Sequence, residues 1–175
     1  MKISIIGNSN SFNNLDCDIF RIDVPTSDLT ELQEAINHSN LLFISTDESL
    51  NSDGSYSHGV LNRVFKSLSI LADEHGVNEQ KTHIVICSTV MPGYIQLQID
   101  KLKNINYTIT YNPIMTSKFI LLGEGDKEAA DFLESFYKSV FGDIEIKRFN
   151  YYSAEIYKLL LGTLVANEKY IELFT

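Results

Sequence analysis

Short apolar runs alternate with longer stretches in which apolar positions recur every three or four residues, almost from one end of the chain to the other. Ile3, Ile5 and Ile6 open the chain as a buried strand, and Asp18–Val24 (DIFRIDV), Leu41–Ser45 (LLFIS) and His83–Cys87 (HIVIC) read the same way. Tyr107–Thr110 and Phe119–Leu122 are two further strands with little between them, and the alternation of Ile144–Phe149 suits a strand near a sheet edge. Helical patterns fill the intervals. Leu29, Leu32 and Ile36 share one face of a helix ending near Ser39, with Thr26-Ser27-Asp28 as its capping residues. Val60, Leu61, Val64, Phe65, Leu68 and Leu71 form a strong stripe up to His75. Helices over about Tyr94–Lys103 and over Asp126–Phe141 follow, the second with Ala130, Leu133, Phe136, Tyr137 and Val140 inward. Tyr152–Phe174 is a last long helix. Strands that alternate with helices predict an α/β fold, a doubly wound and mostly parallel sheet. Residues 1–150 form the domain, and 151–175 a C-terminal helix.

The first turn departs from the pattern expected of a Rossmann-like sheet. Gly7 stands where a G-x-G-x-x-G dinucleotide fingerprint begins, but its second and third places hold Ser9 and Phe12. The three glycines let the backbone turn, approach a pyrophosphate and pack a helix whose amino end receives the anion. From Asn8 to Asp18 there is room for only a short connection, rich in Asn and Ser and without apolar periodicity. A loop is expected there, with the first crossover helix shortened or missing.

One sizeable core is what 175 residues bury. The net charge of −9 is the wrong sign for nucleic-acid backbone, and the longest near-apolar run, Leu159–Ala166, is far short of the ~20 residues of a membrane span. Cys17 and Cys87 make no disulfide framework, and Cys87 lies in an apolar run as a buried thiol. A cytoplasmic protein is expected. His38, His58, His75 and His83 have no metal-ligand spacing, so no metal site is predicted. His58 with Ser57 and Asp53 resembles a hydrolase set only by proximity. Asp47, Glu48 and Asp53 read as a solvated loop rather than a cation site.

Three stretches stand in a recognisable order: Asp53-Gly54-Ser55, then Ser88-Thr89-Val90-Met91-Pro92-Gly93, then Ser153-Ala154-Glu155-Ile156-Tyr157-Lys158, with Asn112-Pro113 before the last. Over about two-thirds of the chain this order resembles the amino-terminal, NAD-binding part of the UDP-glucose/GDP-mannose dehydrogenase family. The resemblance implies NAD as cofactor, a nucleotide sugar as substrate, and a homodimer through Tyr152–Phe174. It implies that Thr89, beside Ser88, lies by the nicotinamide, that Asp23 holds the adenosine ribose, and that Gly7, Asn8 and Thr46 line the cofactor's path. Lys158 matches the lysine that stabilises the oxygen anion, and Glu155 the acid before it.

The departures are as informative. The family glutamate after Asn-Pro is Ile114 here, and the asparagine one turn after the lysine is Gly162. The half of the family protein that supplies the nucleophilic cysteine has no counterpart. Loss of two charge-assisted hydrogen bonds to a diphosphate weakens binding roughly a hundredfold to ten-thousandfold, so weak or absent NAD binding is expected. Three functions stay open: a nucleotide-binding remnant unable to catalyse alone, a non-catalytic dimerisation or interaction module, and a subunit completed in trans by a cysteine-bearing chain.

Overall fold

The computed structural model describes residues 1–7, 12, 16–24, 29–75, 81–102, 106–116 and 118–172, excluding the side chains of 72–75, 101 and 165–172. In chain order the elements are β1 (Lys2–Gly7), β2 (Asp18–Ile22), α1 (Thr30–His38), β3 (Leu41–Ser45), α2 (Gly59–His75) and β4 (Thr82–Ile86). There follow α3 (Tyr94–Lys101), β5 (Tyr107–Met115), β6 (Phe119–Glu124), α4 (Lys127–Phe141), β7 (Glu145–Asn150) and α5 (Tyr151–Glu172). The strands form one sheet in the order β2-β1-β3-β4-β5-β6-β7. β1 to β5 run parallel, whereas β6 turns back antiparallel to β5 and β7 runs parallel to β6.

Right-handed crossovers dictate which face each helix covers. Ile6, Leu42, Ile44, Ile84 and Ile86 point to the face packed by Leu32 and Ile36 of α1, by Leu61, Phe65 and Leu68 of α2, by Ile95 of α3 and by Ala154 of α5. Ile3, Ile5, Phe43, Val85 and Leu122 point to the other face, under Leu133, Phe136 and Tyr137 of α4. Strands buried on both faces explain why the sequence shows continuous apolar runs there.

Ten residues separate Gly7 from Asp18, and β1 pairs with β2 from Lys2↔Asp18 to Ile6↔Ile22. The connection must therefore return the full length of a strand, which leaves the bare minimum of ~10–12 residues for a crossover. Phe12, Asp16 and Cys17, its described residues, include no α-helical one. Phe12 instead inserts its ring into the second core at 1% exposure, 4.5 Å from the ring of Phe43. Phe12 thus contributes an aromatic side chain to the face that a crossover helix covers in an intact fold.

Several local readings change. Thr26-Ser27-Asp28 lie outside the described residues, and the N-cap of α1 is Leu29, without a side-chain hydrogen bond. β5 and β6 are longer than their apolar cores, because Asn112 and Pro113 continue β5 through a register irregularity between Tyr111 and Ile114. Asn112 makes this possible: its amide donates to the carbonyls of Ile114 and Leu121 and accepts from the Tyr137 hydroxyl. On α5 the stripe that contains Leu160 and Leu164 faces outward, each at 59% exposure. Tyr151, Ala154, Glu155 and Leu161 turn to the domain instead.

Candidate functional site

β1 has β2 on one side and β3 on the other, so the chain leaves its carboxyl end in one direction and returns on the opposite side. Ligands of open α/β sheets lie in the crevice outside such a switch point. Gly7 ends β1 at φ 87°, and a Cβ there would stand 2.3 Å from the carbonyl oxygen of Ser45, its partner in β3. Only glycine lets the two strand ends close up in this way. Asp23 follows β2 level with Gly7 and is exposed. Asn8 lies outside the described residues.

Across the crevice Thr46 and Ser88 leave β3 and β4 side by side. The Thr46 N–H donates to Ser88 Oγ at 2.8 Å, and the Thr46 hydroxyl donates to Glu48 Oε1 at 2.7 Å. The Ser88 hydroxyl is left to donate to Thr46 Oγ1 at 2.8 Å, which makes a relay of three side chains ending on a carboxylate. Glu48 Oε1 also accepts from the N–H of Leu61, in the first turn of α2, while Oε2 is buried without a partner. Thr89 is half-buried in the loop after β4.

Glu155 is 0% exposed and reaches from α5 to the opposite side of that loop. One carboxylate oxygen accepts from the N–H of Gly93 at 2.5 Å and the other from the N–H of Ile95 at 2.9 Å. The N-cap of α3 is Gly93, which has no side chain, so Glu155 does the capping from 60 residues away. Burial pushes its pKa up, and the two N–H bonds oppose that shift. Lys158 follows one turn later, half-buried, with burial alone lowering its pKa. Among the described residues it has no hydrogen-bond or ion-pair partner. Ile114 is 5% exposed in the core, and a Cβ at Gly162 would meet nothing within 4 Å.

A second set of contacts ties the same loop to α2. His58 takes φ 51°, and its Nε2 accepts from the Met91 N–H at 3.0 Å. Its ring stacks on Tyr94 at 4.2 Å, and the Tyr94 hydroxyl donates to Asn62. Ser57 pairs with Ser49, and Asp53 accepts from Ser55, so the three loop residues form no triad. Glu48 and Asp53 are likewise engaged separately. Tyr111 is wholly buried, and its hydroxyl has no partner in hydrogen-bond geometry; burial raises its pKa well above the usual tyrosine value. Neither the Glu155 cap nor the Glu48 relay was foreseen, since no spacing rule joins residues 60 or 40 positions apart.

A cavity of about 320 Å³ lies at the opposite edge of the sheet, between Ile99, Tyr107, Ile109, Gly125, Asp126 and Tyr151. None of the predicted site residues lines it.

Compared by sequence, the chain matches no protein-family model and no curated protein. Compared by structure, it is similar to a GDP-mannose dehydrogenase from Pseudomonas aeruginosa, with a TM-score of 0.74 and 19% identity over 96% of this chain. The fold is the Rossmann-like one of such dehydrogenases. A UDP-D-ManNAc dehydrogenase from Pyrococcus horikoshii gives a TM-score of 0.68 at 17% identity over 94% of the chain. An imine reductase from a Pseudomonas species gives 0.69 at 18% over 98%. The chain spans about half the length of the two nucleotide-sugar dehydrogenases, 50% of each, and 64% of the imine reductase. Among the described residues no helix is long and apolar enough to cross a membrane.

Proposed function

We propose that this chain is a binding subunit built on the cofactor half of a nucleotide-sugar dehydrogenase, and that it does not oxidise a sugar by itself. The observation that carries this reading is the isolation of Lys158. Oxidising an alcohol needs a group to take its proton and groups to orient the donor. Both oxygens of Glu155 are committed to backbone N–H groups, and the other two family positions are Ile114 and Gly162. The residues around Gly7 do not fit the diphosphate of NAD, because the glycine turn is absent and Phe12 is drawn into the core. Weak or lost NAD binding follows.

The test is an assay of the full chain with NAD and either UDP-glucose or GDP-mannose, followed by the absorbance of reduced nicotinamide. No turnover is expected; turnover that Lys158→Met abolishes would overturn the proposal.

The exposed leucines of α5 support a homodimer through Tyr152–Phe174, since Tyr152, Leu160 and Leu164 are each 59% exposed on a helix whose Tyr151, Ala154 and Glu155 are buried in the domain. Sedimentation should give a dimer that Leu160→Asp with Leu164→Asp converts to monomer. A further reading, resting on the fold likeness to both dehydrogenases, is completion in trans by a chain with a nucleophilic cysteine. It would be recognised by turnover appearing only when such a chain is added.

A further inference from the structure

Resting on the reading that the exposed leucines of α5 join two copies of this chain, we propose that the open edge strand β7 joins them as well, by antiparallel pairing about Ile146 that makes one continuous sheet of the two. Among the described residues β7 pairs with β6 alone, so a row of its N–H and C=O groups has no strand beside it. Such an edge is a template for a further strand, and the charges on it decide which strands it accepts.

The side chains of β7 suit a copy of itself. Glu145 and Lys147 stand on one face, 3.7 Å apart, with the Lys147 ammonium over the Phe119 ring. Ile144 and Ile146 turn to the other face, against the second core. Residues opposite each other in an antiparallel pair share a face, so a two-fold axis between two copies of one strand must pass through a residue. With the axis at Ile146, Glu145 meets Lys147 of the second copy and Lys147 meets its Glu145, two favourable cross-strand pairs. An axis at Glu145, Lys147 or Arg148 sets a charge opposite itself. One at Ile144 sets Asp143 opposite Glu145, and one at Phe149 leaves only residues 148–150 to pair.

The helix reaches the same axis independently. A Cβ at Gly123 would stand 2.9 Å from the Cβ of Ala154, and Gly123 pairs with Phe149, so Ala154 is level with Phe149. From that level α5 runs back along β7. Ile146 lies three strand residues away, ~10 Å, and Leu160 six helical residues away in the same direction, ~9 Å. The Phe149 and Tyr157 rings stack at 5.9 Å, which turns that flank of α5 to the edge strand. Glu155, ~160° round the helix from Tyr157, reaches α3 on the other side. Leu160 and Leu164 follow Tyr157 at i+3 and i+7, so the exposed leucines ride on the edge flank. The axis at Ile146 therefore sets the two α5 helices antiparallel, Leu160 level with Leu160, and Leu164 level with Tyr157 of the second copy. Strand charges and helix leucines select one axis.

The experiment is sedimentation of the full chain at low salt, where the parent is expected to be a dimer. Glu145→Lys and Lys147→Glu should each raise the dissociation constant about tenfold or more, and the double exchange, which restores both pairs, should return it to within about threefold of the parent. Circular dichroism should stay unchanged in all three, since both side chains reach water. Hydrogen exchange is a second measurement: alternate β7 amides should exchange about tenfold or more faster in the monomer made by Leu160→Asp with Leu164→Asp than in the parent dimer. Single exchanges that dimerise like the parent, or β7 amides that exchange alike in dimer and monomer, overturn the edge pairing and leave the α5 dimer standing. A double exchange no tighter than the singles overturns the axis at Ile146. A parent that stays monomeric overturns both, and leaves the edge and the leucines to a different chain.

Discussion

The Glu155 carboxylate and the Gly93 N–H are 62 residues apart and meet at 2.5 Å, with the Ile95 N–H on the second oxygen. The contact joins the last helix to the loop that holds Thr89, and it uses both lone-pair edges of one buried carboxylate. Glu155→Gln tests it. A glutamine side chain keeps one acceptor but turns an NH2 toward an N–H, leaving a buried donor unsatisfied. The variant should lose about 1–3 kcal/mol in urea unfolding although it removes a buried charge. A variant as stable as the parent would mean that the two bonds do not hold the loop.

Phe12 offers a second test. Its ring stands 4.5 Å from Phe43, which in turn lies 5.7 Å from Phe136 of α4. Phe12→Ala removes the only described side chain that the β1–β2 connection contributes to this core above Cys17. A loss of about 3–5 kcal/mol is expected, with Phe12→Leu losing under half of that. Equal losses for the two would show that ring shape, not volume, is what the face requires.

The His58 latch predicts a pH dependence. Nε2 accepts from Met91 only while the ring is neutral, and burial holds the pKa below the ordinary histidine value, with Glu48 opposing. The folded state therefore resists the proton that the unfolded chain takes up near pH ~6.5. Stability from this group is complete above that point and is lost as pH falls through the lower folded value. His83, bonded to Thr108 and stacked on Phe132, has the same sign. Glu155, with a raised value, works the other way. Urea midpoints should fall between about pH 7.5 and about pH 5.5. His58→Asn, which tolerates the positive φ, should show a shallower fall.

Lys158 gives a prediction of opposite direction. Its ammonium is half-buried, and burial alone lowers its pKa, so its charge is a cost at neutral pH. Lys158→Met should leave the thermal midpoint unchanged or raise it, by up to about 1 kcal/mol in stability terms. A loss beyond that would reveal a structural partner for the ammonium.

How much of this the sequence carried depends on range. The strands and helices were legible because strand burial on both faces writes continuous apolar runs, and because α4 keeps Ala130, Leu133, Phe136 and Tyr137 on one side. The shortened first crossover was legible too, since spacing alone sets how much chain lies between Gly7 and Asp18. Partners were not. Asn112 was marked by its place before Pro113, but its work of closing the β5–β6 irregularity depends on Leu121 and on Tyr137, 25 residues on. Which side of α5 turns outward was not legible, because the helix is apolar on most sides. Leu159 and Leu161 are half-buried while Leu160 is exposed, and hydropathy does not rank such neighbours. Arg148 was unremarkable in sequence. Folded, it clasps Glu124, Asp131 and Glu134 and rivets the edge strand to α4.

The reversal of direction at β6 sets the heading of everything after it. Because β7 descends, α5 starts at the lower rim, where Tyr151 bonds to the Ile109 carbonyl, and climbs toward the crevice. Its 22 residues measure ~33 Å, against ~17–20 Å for strands of this length. The surplus carries Leu160 and Leu164 beyond Ala154 and Glu155, the wholly buried part of the helix. A surface that covered Leu160 and Leu164 would remove from water the apolar area that the domain itself leaves there.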